Sequence, residues 1–299
     1  MLSAQSGVSD RRLVIGADGL VGGALRTYWR HARRAVTGTS LLPVAGDPEV
    51  VPLDLAGGGP ACWPTLPPAR AAVLCAAITS LEACRRDPVG TREINVVQTL
   101  ALARRLAEQG CFVVFISSNL VFDGTRPRRH PDDAACPQTE YGRHKAEAEA
   151  GLASLGDRVA IVRLTKVWHP GLALLRGWRE RLERGEPIQP FTDLACAPIS
   201  LETVVRVLAQ VADEARSGIW QLSAAADVSY AAIAGRLAER LGCAAALVRP
   251  VAAASTGRLE HCPAHTTLEA ARAASLLGVP VPEPWTVIDP TLAYVPEPR

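Results

Sequence analysis

The chain has 299 residues, enough for one large α/β unit or two interleaved lobes with an ample core. A hydrophobic share of 48% argues against disorder, and 32 basic against 30 acidic residues, a net charge of +2, imply no strongly charged partner. Arginines are scattered and no basic stripe interleaves with aromatics, which argues against a nucleic-acid platform.

In chain order, the apolar run at 13–15 ends in glycine and is followed by helix-forming sequence over 20–31. Strands are expected at 34–37 and 50–53, then a Gly/Pro-rich loop over 57–68 and a fully apolar strand at 71–76. A long helix over 91–109 stops at Gly110, and another uninterrupted apolar strand spans 111–116. A helix at 140–155, a strand at 159–164, a helix at 201–215 and a strand at 219–222 complete the series. Apolar strands separated by amphipathic helices indicate a parallel sheet covered on both faces. The expected fold is α/β, doubly wound and Rossmann-type, with its ligand at the carboxyl ends of the strands. A dinucleotide-binding domain is expected at 11–164 plus 201–222, and a smaller, Pro- and loop-richer substrate lobe at 165–200 plus 223–299.

The first ten residues lack an apolar targeting core, and no apolar run approaches the ~20 residues of a membrane span. The eight cysteines form no C-x-x-C pair and no zinc-spaced Cys/His cluster. They read as reduced thiols, with Cys75 and Cys111 inside apolar runs. A cytoplasmic protein with no membrane partner and no metal site is expected.

Gly16, Gly19 and Gly22 stand between the first strand and the first helix. Glycines there let the backbone approach a pyrophosphate, and the helix N-terminus supplies donors and partial positive charge. The stretch Gly16, Asp18, Gly19, Leu20, Val21 and Gly22 is therefore the expected cofactor cradle. The second strand ends in Thr39 and Ser40 with no acid to hold a ribose 2′-hydroxyl; hydroxyls accommodate a 2′-phosphate, which favours NADP(H) over NAD(H). Arg33 and Arg34, at that strand's start, read as solvated. Asp54 and Leu55 follow the third strand, where a carboxylate either meets the adenine or sits on a surface loop. Ala76 and Ala77 end the fourth strand and are small enough for the cofactor ribose to pass close to the backbone.

Tyr141 and Lys145 are four residues apart, one turn apart on one helix face. An ammonium there is expected to lower the phenol's pKa and make it a proton donor or acceptor near neutral pH. His144 is expected to point away from that face, as a solvated residue. Ser118, at the end of an apolar strand, offers a hydroxyl for the same substrate oxygen. This is the chemistry of moving a hydride to or from a carbonyl.

The order Gly16-x-x-Gly19-x-x-Gly22, Asp54-Leu55, Cys75-Ala76-Ala77, Asn95, the run Ile116 to Gly124 and Tyr141-Gly142-x-x-Lys145 resembles the extended short-chain dehydrogenase/reductases, and within them the dTDP-4-dehydrorhamnose reductase group. The likeness runs from about Arg12 to Trp285. It implies that Ser118, Tyr141 and Lys145 are catalytic, that Tyr141 and Lys145 also touch the cofactor, and that Asn95 either pins its helix or relays protons. The implied reaction is NADP-dependent reduction of a carbonyl on a 4-keto sugar nucleotide or related polar metabolite. Departures lie at Asn119, Leu120 and Cys262, and at Lys166 and Trp168, which stand at the mouth of the implied site. Ser118, Asn119, Lys166 and Trp168 are the expected substrate contacts, with packing between lobes the other reading of Trp168. Two other readings stay open: an NADP-binding regulatory partner subunit without catalysis, and an epimerase of the same superfamily. The partner is a small molecule, and a homodimer is left open.

Overall fold

The computed structural model describes residues 9–256 and 261–293. The chain runs β1 (Arg12–Ile15), α1 (Leu20–His31), β2 (Val36–Ser40), β3 (Val50–Pro52), β4 (Ala71–Leu74), α2 (Leu81–Arg86), α3 (Pro88–Arg92), a π-helical segment (Glu93–Gln98), α4 (Thr99–Glu108), β5 (Phe112–Ser118), α5 (Glu140–Leu152), β6 (Val159–Leu164) and β7 (Lys166–Trp168). It continues through α6 (Ala173–Glu183), β8 (Ala195–Cys196), β9 (Pro198–Ser200), α7 (Leu201–Asp213), β10 (Gly218–Leu222), β11 (Val228–Ser229), α8 (Tyr230–Arg240), α9 (Ala271–Leu277) and α10 (Pro284–Ala293).

The chain divides into two units. The first comprises residues 9–121, Glu140–Arg163 and Val204–Trp220; the second comprises Phe122–Thr139, Leu164–Thr203 and the described residues from Gln221 onward.

A seven-stranded sheet in the order β10-β6-β5-β4-β1-β2-β3 is the frame of the first unit. β1 pairs in parallel with both β2 and β4, β2 with β3, and β4 with β5. The strand order reverses at β1, so the crevice beyond the carboxyl ends of β1, β2 and β4 is the place for a ligand in such a sheet. This is the doubly wound α/β fold that the alternation of apolar strands and helices predicts. Its core is built from sheet residues such as Leu13, Ile15, Ala72, Val113 and Phe115, packed on Leu102, Leu106 and Leu152 of the helices. A buried arginine pins the amino end of the interior strand β1: Arg12, 1% exposed, pairs with Asp213 at 2.7 Å and with Asp10.

Two elements of this unit differ from the sequence expectation. β2 covers 36–40 instead of 34–37. It continues through Gly38 because it is hydrogen-bonded on both sides: Val14 pairs with Gly38, and the Gly38 N–H donates to the Glu49 carbonyl at 2.9 Å. The expected long helix of 91–109 is built of three pieces, with a π turn at Glu93–Gln98. The Thr99 hydroxyl donates to the Ile94 carbonyl at 2.9 Å, satisfying an acceptor inside the widened turn.

The second unit holds more regular structure than its proline content suggests. α6 and α8 bury Leu175, Trp178, Leu182, Ile233 and Leu237 in one cluster. Parallel β7 and β9, and antiparallel β11 and β8, are short two-stranded ladders. Residues 122–139 also cluster here, whereas the sequence boundaries leave them in the dinucleotide-binding domain. Their ties are non-local: the His265 N–H donates to the Gly124 carbonyl and the Arg129 N–H to the Thr267 carbonyl. Residues 257–260 and 294–299 of the expected lobe lie outside the described residues.

Candidate active site

A cleft of about 360 Å³ opens at the carboxyl ends of the strands of the first unit. Gly16, Asp18, Gly19, Thr39, Ser40, Asp54, Leu55, Ala76 and Ala77 all line it. Gly16 has φ +86°, a conformation that favours glycine, and a Cβ there would stand 2.8 Å from the backbone of Ala76. A Cβ on Gly22 would stand 2.1 Å from the Gly16 carbonyl oxygen. The first turn of α1 is thus pressed against the loop, and its N-terminus carries no side-chain cap at Gly19. Backbone donors left open at a helix start suit a pyrophosphate. The residues fit a dinucleotide. Of the expected cofactor residues, Leu20, Val21, Gly22, Asn95, Tyr141 and Lys145 are not in the lining: Gly22 acts by packing, and Leu20 and Val21 open α1.

Ile15, Leu41, Leu53, Ala56, Cys75, Ile78 and Ile94 also line the cleft and were not anticipated. All but Ile94 lie at or just beyond strand ends, so the strand-end rule would have reached them with correct boundaries. Ile94 comes from the π segment, for which the sequence carries no signal.

The hydroxyls expected to receive a 2′-phosphate are committed elsewhere. Thr39 Oγ1 accepts from the Gly16 N–H at 3.0 Å. Ser40 Oγ donates to the Leu42 carbonyl at 2.6 Å. Asp54 accepts from the Ala56 N–H at 2.7 Å and keeps its exposed position. Asn95 is 1% exposed, and its amide closes a ring with Ile78: Oδ1 accepts from the Ile78 N–H at 2.8 Å and Nδ2 donates to its carbonyl at 2.9 Å. Its visible work is holding one wall of the cleft.

α5 carries Tyr141 and Lys145 and packs on β5 and the short turn Asn119–Val121 that follows it. Lys145 is 3% exposed; its Nζ donates to the Ile116 carbonyl at 2.8 Å and lies 4.4 Å from the Phe115 ring centre and 5.6 Å from that of Tyr141. Ser118 lies two residues beyond Ile116, at the carboxyl end of β5. Its Oγ accepts from the Leu120 N–H at 3.2 Å and contacts Asn119 Oδ1 at 3.4 Å, capping the turn. Lys145 also feels Cys75, a residue of the cleft wall, so lysine, tyrosine and cleft are neighbours.

Burial lowers the Lys145 pKa to about 8, against the pull of the Glu149 carboxylate. Burial drives the Tyr141 phenol well above its ordinary value, and the Cys84 thiol adds to the rise. This reverses the expectation of a lowered phenol, because desolvation of the phenolate decides its titration. Tyr141 therefore stands protonated at neutral pH, as a proton donor must.

Two other expectations change. His144 is 2% exposed, because α2 and the π segment cover α5, and burial is the main reason its pKa is lowered. Trp168 is 2% exposed within the core of the second unit, packed with Leu175 and Trp178 as its large apolar surface requires. Lys166 is exposed on β7 of the second unit. None of the eight cysteines, all of them among the described residues, forms a disulfide. Among the described residues no Cys, His, Asp or Glu cluster could hold a metal, and no helix is long and apolar enough to cross a membrane.

Known proteins resemble this chain throughout. Methionine adenosyltransferase 2 subunit beta of Xenopus tropicalis is 29% identical over 154 residues, 52% of this chain and 46% of that protein. The match thus spans about half the length of that relative. The dTDP-4-dehydrorhamnose reductase of Mycobacterium tuberculosis (strain CDC 1551 / Oshkosh) is 25% identical over 266 residues, 85% of this chain and 83% of its own. The crystal structure of dTDP-4-dehydrorhamnose reductase from Bacillus anthracis str. Ames in complex with NADP shares the fold, with a TM-score of 0.80 at 17% identity over 95% of this chain and 98% of that one. Residues 11–289 match the family model described as the RmlD substrate binding domain, and the chain belongs to that family.

Proposed function

We propose that the chain is a nicotinamide-dinucleotide-dependent oxidoreductase that reduces a carbonyl, with a 4-keto sugar nucleotide as substrate and NADP(H) as the preferred cofactor. The observation that carries this reading is the seat of Lys145. Its buried ammonium rests on the Ile116 carbonyl, beside Tyr141, two residues before Ser118 and against the cleft residue Cys75. The reductases of Mycobacterium tuberculosis and Bacillus anthracis, the latter in complex with NADP, support the substrate class and a nicotinamide dinucleotide as cofactor. The absence of a carboxylate among Thr39, Ser40 and Leu41 supports NADP(H) over NAD(H).

A reduced nicotinamide dinucleotide, when bound, supplies the hydride. The chain supplies the rest. Gly16 and Gly22 allow close backbone approach at the first turn of α1. Ser118 offers its hydroxyl to the carbonyl oxygen. Tyr141, held neutral by burial, gives that oxygen a proton. Lys145 places a positive charge where negative charge develops on the phenol oxygen.

The test is NADPH oxidation with dTDP-4-dehydrorhamnose or another 4-keto sugar nucleotide. Tyr141→Phe is expected to lower turnover by ~10²–10⁴ while NADPH affinity stays unchanged. Undiminished turnover in that variant removes Tyr141 from the mechanism.

A second reading is a dinucleotide-binding partner subunit. The similarity to methionine adenosyltransferase 2 subunit beta and the departures at Asn119, Leu120 and Cys262 favour it. Wild-type protein that binds NADPH, turns over none of these ketones and forms a stoichiometric complex with a catalytic methionine adenosyltransferase subunit would put this reading first.

A further inference from the structure

Tyr141, Lys145 and Glu149 follow one another at intervals of four along α5. All three therefore share one face of the helix. Glu149 is 7% exposed, and its carboxylate is held in a fork by Arg163 of β6, 4% exposed. Arg163 Nε donates to Oε1 at 3.0 Å and to Oε2 at 3.2 Å, and Nη2 donates to Oε2 at 2.7 Å. A carboxylate so placed cannot swing away, and a bidentate guanidinium is the partner that keeps it charged in the interior.

The reductase mechanism leaves this pair unused. Its position relative to Lys145 gives it a task. The groups that face the ammonium are Glu149 on the same helix, the Tyr141 ring, the thiols of Cys75 beyond β4 and of Cys84 in α2, and the Ile116 carbonyl with the Phe115 ring from β5. Burial pushes the Cys75 thiol up to about 12 and the Tyr141 phenol higher still, so neither is an anion near neutral pH. Glu149 is the carboxylate of the set, and it attracts the ammonium against the cost of its burial.

We propose that Glu149, fixed by Arg163, is a positioning residue for Lys145: its buried negative charge keeps the lysine protonated and seated on the Ile116 carbonyl. The proposal rests on the reductase reading for its functional meaning, while the charge state of Lys145 can be read without any turnover.

The sequence makes that readout direct, because it contains two lysines, Lys145 and Lys166. Protein carrying lysine labelled with carbon-13 at Cε gives two lysine signals by NMR, assigned by Lys166→Arg. Their titration is followed in wild type, Glu149→Asp, Glu149→Gln and the double variant Glu149→Gln/Arg163→Met. The double variant is needed because Glu149→Gln alone strands a buried cation and is expected to fold poorly. The Lys145 midpoint is expected to fall by roughly one pH unit in the folded double variant, and Glu149→Asp is expected to restore most of it. The alkaline limb of kcat/KM for ketone reduction is expected to move down by the same amount. A folded double variant whose Lys145 midpoint is unchanged overturns the proposal and leaves the pair a structural brace. A shifted midpoint in a protein that reduces no ketone upholds the control of Lys145 and sinks the reductase reading instead.

Discussion

Asn95 shows how a side chain with a catalytic reputation in its motif can serve the backbone. Its amide satisfies both the N–H and the carbonyl of Ile78, one of the residues lining the cleft. Asn95→Ala would strip the part-buried Ile78 N–H of its partner and leave the Ile78 carbonyl with the Cys84 thiol alone, at a cost of about 1–3 kcal/mol. We expect a lower urea midpoint and weaker dinucleotide binding together, both read by fluorescence. A variant with full stability and full affinity would show that the ring of hydrogen bonds is idle.

Lys145 makes a prediction about pH with two opposite signs. Burial lowers its pKa from the usual 10.5 to about 8. Between those values the unfolded chain binds a proton that the folded chain has released. Stability contributed by this group therefore rises with pH from about 8 to about 10.5, and it is flat below 8, where both states are charged. On the proposed mechanism activity runs the other way, because the cation beside Tyr141 is lost above pH 8. The expected outcome is a fall in kcat/KM through pH 8. Alongside it, the denaturant midpoint of wild type should gain on that of Lys145→Met as pH rises from 8 to 10.

At the scale of elements, α1 and the glycine loop form one device. A side chain at Gly22 has no room, since its Cβ would overlap the Gly16 carbonyl. Gly22→Ala is expected to cost about 1–3 kcal/mol by overpacking. It is also expected to weaken dinucleotide binding, because the displaced atoms are those of the cradle; calorimetric titration and thermal unfolding check the two effects. The loop was legible because three glycines between an apolar strand and a helix have few other uses. The extent of β2 was not, since a glycine inside a strand looks like its end until β1 and β3 are seen pairing across it. The π turn was invisible for a related reason: it is held by Thr99 and by packing on α5, not by its own composition.

For the molecule as a whole, the cleft predicts linkage between ligand and stability. A dinucleotide that binds the folded chain alone stabilises it by about 2.7 kcal/mol at a hundredfold excess over its Kd. Thermal unfolding with NADP(H) and with NAD(H) at equal concentration should show the larger shift for NADP(H); equal shifts, or a larger one for NAD(H), would reverse the assigned preference. Tyr141, Lys145, Ser118 and the glycine loop could all be picked out from residue type and spacing, because four-residue helical intervals and strand-end positions are local geometry. His144, Trp168, Thr39 and Ser40 could not be judged that way. Whether a side chain is solvated, packed into a core or already hydrogen-bonded depends on neighbours distant in the chain, here the cover of α2 over α5 and the reach of Thr39 to Gly16. The linear order of residues determined the α/β alternation and the chemical groups available. The tertiary structure alone decided their charge, since burial of Lys145 and Tyr141, with Glu149 held by Arg163, sets the protonation on which their chemistry turns.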